Sequence, residues 1–146
     1  MAVWEAAMIE RILVAYDESP EAERALEMAI DLSRALEADL KVITVVEPLP
    51  SYYTFAPSAI FAMKWQSAQQ SRCCVLQRHA CKQLRTSGVY PDAEVIPGDE
   101  VDTIIECAKK YRADLLIVGM KKHTLLPGST GQHLAERAPC SVLGVR

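Results

Sequence analysis

Gly128-Ser129-Thr130 is the segment of this sequence best suited to hold a charged ligand. A glycine followed by two hydroxyl residues opens a helix here, and the first N–H groups of a helix have no intrahelical acceptor. They also lie at the positive end of the helix dipole, where phosphate oxygens rest well. The plainer reading is that Gly128 turns the chain and Ser129 caps the helix. Lys121, Lys122 and His123 form a compact basic run just before it. That run either adds charge beside a phosphate or is a solvated turn. Asp17 follows an apolar run and could hold a magnesium ion or a ribose hydroxyl. It could equally accept backbone N–H groups in the turn before Ser19.

Other chemistry-bearing residues assemble into nothing specific. His79 and His133 fall in helical patterns with no cysteine or carboxylate set at metal spacing. No Ser-His-Asp or Cys-His arrangement can be nominated. Cys73, Cys74, Cys81, Cys107 and Cys140 are odd in number and lack a C-x-x-C pair. They read as reduced thiols packed as small hydrophobes. Tyr52, Tyr53 and Phe55 offer faces for a base to stack on, but a hydrophobic flap is the favoured reading.

These residues need elements to position them, and the pattern supplies a regular alternation. Arg11 to Ala15 reads as a first strand buried on both faces. Ser19-Pro20 starts a helix of about sixteen residues, with Ala22, Leu26, Ala29, Leu32 and Leu36 on one face. Lys41 to Val46 is a β-branched second strand. Residues 47–58, with three prolines, form a long loop. A second helix runs from about Ala59 to Gly88, a natural C′ residue. Ala93 to Ile96 is a third strand closed by Pro97-Gly98, and Asp99 caps a third helix. Leu115 to Val118 is the fourth strand. A short helix from Gly128-Ser129-Thr130 ends near Arg137, before a last strand from Ser141 to Val145. Ala-Asp-Leu joints recur at Ala38 and Ala113 but are too short to establish a repeat. Strands alternating with amphipathic helices predict one doubly wound α/β domain with a parallel sheet. Ligands in such sheets bind outside the carboxyl ends of the strands, where the strand order reverses. Asp17, Val45 to Glu47, and Gly119 to Thr130 fall there.

Composition narrows the function classes. The 146 residues carry a net charge of −3, which leaves no basic footprint for nucleic acid. No apolar run approaches the ~18–20 residues that span a bilayer. Residues 1–10 contain Glu5 and Glu10 and lack the basic start of a secretory signal, so they are expected to be an extension to a domain at 11–146. A cytoplasmic location is expected.

Ile12 to Ser19, Val42 to Glu47, Ala113 to Gly119, and Gly128-Ser129-Thr130 through Leu143 resemble the universal stress protein family. The resemblance implies a five-stranded parallel sheet in the order 3-2-1-4-5 and a homodimer through the last strand. Some members bind ATP or AMP, with magnesium accompanying the nucleotide. Their motif is Gly, two residues, Gly, nine residues, then Gly followed by Ser or Thr. Carried over, Gly119 is its first glycine and Gly128-Ser129 its last pair, with Thr130 next. Asp17 matches the acidic residue near the nucleotide, and Val45 the position whose backbone reads adenine. Lys122 stands where the second glycine belongs, and the loop is four residues shorter than the pattern. A lysine does not take φ > 0 as glycine does. Weak binding is therefore expected, with AMP or ADP fitting better than ATP and Lys121 or Lys122 beside the phosphates. Gly128→Val is expected to abolish binding by filling the phosphate position.

The alternative is an oligomeric member that binds no nucleotide and acts through protein contacts. Enzymes on similar folds include ATP-pyrophosphatases, which would want a Ser-Gly-Gly-x-Asp-Ser-like turn. The chain has Ala15-Tyr16-Asp17-Glu18-Ser19-Pro20 instead, so no catalytic role is expected.

Overall fold

A computed structural model describes residues 8–17, 19–46, 67, 77–78, 80–82, 84–86, 88–89, 92–121 and 128–146. The elements are β1 (Arg11–Ala15), α1 (Pro20–Leu36), β2 (Asp39–Val46), β3 (Asp92–Pro97), α2 (Glu100–Tyr111), β4 (Leu115–Gly119), α3 (Thr130–Arg137) and β5 (Ser141–Val145). Between β2 and β3 the described residues 77–78, 80–82 and 84–86 are helical. The aromatic residues 52, 53 and 55, the start of the expected second helix, and Cys73, Cys74 and His79 lie outside the described residues.

The five strands form one parallel sheet in the order β3-β2-β1-β4-β5, as expected. Alternation along each strand feeds two cores, because successive side chains of a strand point to opposite faces. Ile12, Val14, Leu40, Val42, Leu115 and Ile117 pack with Ala22, Ala25, Leu26 and Ala29 of α1 and with Ala80 and Leu84. Leu13, Ile43, Leu116 and Val118 pack with Ile104, Ile105 and Ala108 of α2 and Leu134 of α3. The middle of β1 is buried on both faces, which explains its unbroken apolar run.

Helix starts follow their caps. Ser19 Oγ accepts from Ala22 N–H at 3.1 Å, with Pro20 at the first helical position. Asp99 Oδ1 accepts from Asp102 N–H at 3.1 Å. Gly88 lies at φ 77°, and Val89 N–H reaches Leu84 O at 2.9 Å while Gly88 N–H reaches Arg85 O at 3.0 Å. This is the paired closure in which a left-handed C′ residue satisfies the last carbonyls, and it bears out Gly88 as the helix stop.

Strand bounds differ from expectation at several ends. β2 begins at Asp39, because Asp39 N–H already donates to Glu10 O at 2.8 Å. β3 takes in Asp92 and Pro97, and β4 takes in Gly119. Pro97 is tolerated since β3 is an edge strand.

Candidate functional site

The chain moves outward from β1 in both directions, to β2 and β3 on one side and to β4 and β5 on the other. The strand order therefore reverses beside β1, and a crevice opens past its carboxyl end. A cleft of about 190 Å³ lies there. Ala15, Tyr16 and Asp17 line it after β1, Val45 on β2, and Val118, Gly119 and Lys121 at and beyond β4. The helix starts complete it with Ser19 and Ala22, with Glu100 and Ile104, and with Thr130, Gly131 and Leu134.

Of the residues nominated from sequence, the cleft gathers Asp17, Val45, Gly119, Lys121 and Thr130. Gly128 and Ser129 stand beside it and shape the start of α3. Lys122 lies outside the described residues, as do the rest of 122–127.

Three helix starts converge on the cleft, and they differ in charge. α1 carries Glu21 and Glu23 in its first turn and α2 carries Glu100 and Asp102, whereas α3 carries no acid there. An acid near a helix N-terminus offsets the dipole, so α3 presents the least compensated positive end. Its capping is reciprocal: Ser129 Oγ accepts from Gln132 N–H at 3.2 Å, and Gln132 Oε1 accepts from Gly128 N–H at 2.8 Å. The S-x-x-Q spacing is that of a capping box, but the glutamine reaches one residue further back than the cap, to Gly128 N–H. His133 N–H bonds to Ser129 O at 3.0 Å. The N–H groups of Thr130 and Gly131 have no acceptor within the helix, and both residues line the cleft.

Gly128 sits at φ 82°, where a side chain is strained, yet a Cβ built on it meets nothing within 4 Å. Valine at this position would be strained through the backbone, in addition to any space it took from a phosphate. Gly119 is set by contact. A Cβ there would lie 2.6 Å from Ala22 N and 2.6 Å from Glu21 C, so glycine is what lets α1 approach the end of β4.

Asp17 Oδ1 accepts from Ser19 N–H at 2.7 Å, so one carboxylate oxygen closes the turn while the residue lines the cleft. Tyr16, missed from sequence, is buried beside it, and its hydroxyl donates to Glu23. Burial, then the bond to Glu23, pushes its phenol above the usual range. The backbone of Val45 is presented by the ladder. Ile43 O accepts from Tyr16 N–H at 2.8 Å on the β1 side, and Val46 O accepts from Gly98 N–H at 3.0 Å on the β3 side. Alternate residues of a strand direct their polar groups to alternate sides. Val45 N–H and C=O thus face the β1 side, past the end of that strand, and among the described residues no backbone group partners them.

Cys81, Cys107 and Cys140 are free thiols, and burial pushes the last two above the usual thiol range. Among the described residues no three His, Cys, Asp or Glu side chains group as a metal site. Among the same residues no helix is long and apolar enough to cross a membrane.

Fold and cleft together define a doubly wound α/β domain with its crevice at the switch point. A family model described as the universal stress protein family matches residues 8–146. A relative from Thermus aquaticus, named as the universal stress protein in the QAH/OAS sulfhydrylase 3′ region, is 30% identical over 144 residues; the match covers 95% of this chain and 100% of that protein. The solved universal stress protein UspA from Lactobacillus plantarum superposes with TM-score 0.81 at 23% identity, covering 96% of this chain and 99% of that one. A universal stress protein solved in complex with cAMP superposes with TM-score 0.73 at 24% identity, again covering 96% and 99%. The chain belongs to the universal stress protein family.

Proposed function

We propose that this protein binds an adenine mononucleotide in the cleft and acts by that binding, without catalytic turnover. The observation that carries the reading is the start of α3, where Thr130 and Gly131 line the cleft together with Lys121 and no acid stands in the first turn. Phosphate oxygens would rest there and on the loop at Gly128 and Ser129, with Lys122 contributing charge. Asp17 would accept from a ribose hydroxyl. Val45 would offer one donor and one acceptor, the complement of the N1 and N6 edge of adenine. The relative solved with cAMP supports a small adenine ligand in this fold. Magnesium would enter with a phosphate chain through Asp17, and not at a protein-built site. A cytoplasmic homodimer is part of the same reading.

Calorimetry with AMP, ADP and ATP at two salt concentrations tests it. AMP or ADP should bind at least as tightly as ATP, because the loop from Gly119 to Gly128 is short. Binding should weaken as salt rises, since the lysine contribution is partly exposed and screened. Tight, salt-insensitive ATP binding would show that the short loop has been misread. Failure of all three to bind would leave the alternative, a member that works through protein contacts.

A further inference from the structure

The base end of the cleft contains a carboxylate that sequence reading passes over as an ordinary helix-start acid. The chain leaves β3 at Pro97, Gly98 N–H bonds to Val46 O at 3.0 Å, and Asp99 caps α2, whose first residue is Glu100. That path sets Glu100 beside the end of β2. Glu100, Ile104 and Val45 therefore line the end of the cleft away from β4, while Lys121, Thr130 and Gly131 line the end near it. α1 also carries first-turn acids, Glu21 and Glu23, yet neither lines the cleft.

Resting on the nucleotide reading above, we propose that Glu100 is a specificity-determining residue that selects a base with an exocyclic amino group. Adenine presents an acceptor at N1 and two hydrogens on N6. Val45 N–H and C=O satisfy N1 and one N6 hydrogen, which leaves the second N6 hydrogen to be met inside a partly enclosed cleft. An ionised carboxylate accepts and cannot donate. It matches that second hydrogen, and it repels the O6 oxygen that hypoxanthine or guanine would place there. Two acceptors facing each other leave both unsatisfied, which is how a polar site rejects the wrong ligand more strongly than it rewards the right one. The same carboxylate offsets the α2 dipole, so the phosphate is drawn to α3 and the ligand has one orientation.

The test compares AMP, N6-methyl-AMP and IMP by calorimetry on the wild-type chain and on Glu100→Gln and Glu100→Ala. N6-methyl-AMP keeps one N6 hydrogen, which reaches Val45 when the methyl group turns away from N1, a rotation whose cost is the same in every variant. The wild-type protein should favour AMP over N6-methyl-AMP by on the order of 10-fold or more, the scale of a hydrogen bond to a charged group. Glu100→Ala should shrink that ratio several-fold, and Glu100→Gln should fall between, because its amide oxygen still accepts. Each ratio is internal to one protein, so a change in folding stability cancels. A ratio equal in all three proteins overturns the role of Glu100 while leaving the nucleotide site standing. IMP binding as tightly as AMP to the wild type overturns it too. Failure of AMP itself to bind the wild type overturns the nucleotide reading and this inference with it.

Discussion

An alanine at position 119 would bring a carbon atom to 2.6 Å from the backbone of Ala22 and Glu21, a distance that backbone atoms cannot absorb by rotating a side chain. The first turn of α1 must then shift, and with it Ser19 and Ala22, which line the cleft. Overpacking of this kind costs about 1–3 kcal/mol. Urea denaturation of Gly119→Ala should show that loss, and wild-type stability would mean α1 sits less tightly on β4 than described. Gly119 was legible as a motif glycine, but its reason is a contact between elements almost one hundred residues apart in sequence, which no local spacing reveals. Asp17 shows the reverse. Its local use, accepting from Ser19 N–H, was one of two readings open from the turn sequence alone, and the geometry shows that it holds while the residue still faces the cleft.

At the scale of elements, the two Ala-Asp-Leu joints turn out to be built alike. Glu37 and Arg112 both adopt the left-handed conformation, at φ 53° and 54°, and each is followed by a buried alanine whose N–H closes the helix end on Ser33 O or Ala108 O at 3.0 Å. Asp39 and Asp114 N–H then bond to Glu10 O and Arg11 O, on the two sides of β1. Asp114 Oδ2 also accepts from Glu10 and Arg11 N–H, each at 2.9 Å, fastening the start of the central strand. A non-glycine residue in the left-handed region costs about 1–2 kcal/mol, and glycine there gives back roughly 0.4–1 kcal/mol in chain entropy. Arg112→Gly, at an exposed position, should therefore leave the protein unchanged or more stable by up to ~1 kcal/mol. A thermal midpoint that fell by several degrees would mean that the arginine side chain holds the joint. The order of the elements was readable because period and caps agree: apolar strands buried on both faces, Ser19-Pro20 and Asp99 at helix starts, Gly88 at a stop. These two joints were not readable as structural equivalents, because the usual glycine signal is missing from both. Glu100 escaped for a related reason, since an acid in the first turn of a helix already has a sufficient local explanation.

For the whole molecule, the two edges of the sheet are unlike, and that asymmetry bears on assembly. β3 is guarded by Asp92 and Glu94, which hold Lys41 at 3.6 and 3.0 Å, and it ends in Pro97, which has no N–H to offer. Charges and proline are the usual means of keeping an edge from pairing with another chain. β5 has neither between Ser141 and Val145; Val142 and Leu143 pack on the two cores yet stay half-buried, and among the described strands only β4 pairs with β5. A strand of this kind pairs well with its own copy across a two-fold axis, because an isologous contact presents the same groups from both sides. The homodimer proposed for this protein should accordingly use β5. Light scattering at micromolar concentration should give the mass of two chains. Val142→Lys should give the mass of one, since the long side chain can carry its charge to solvent while obstructing the pairing. Glu94→Lys on the opposite edge should leave the dimer intact. A monomeric wild type would remove the β5 dimer altogether, and a dimer that survives Val142→Lys but not Glu94→Lys would move the contact to β3.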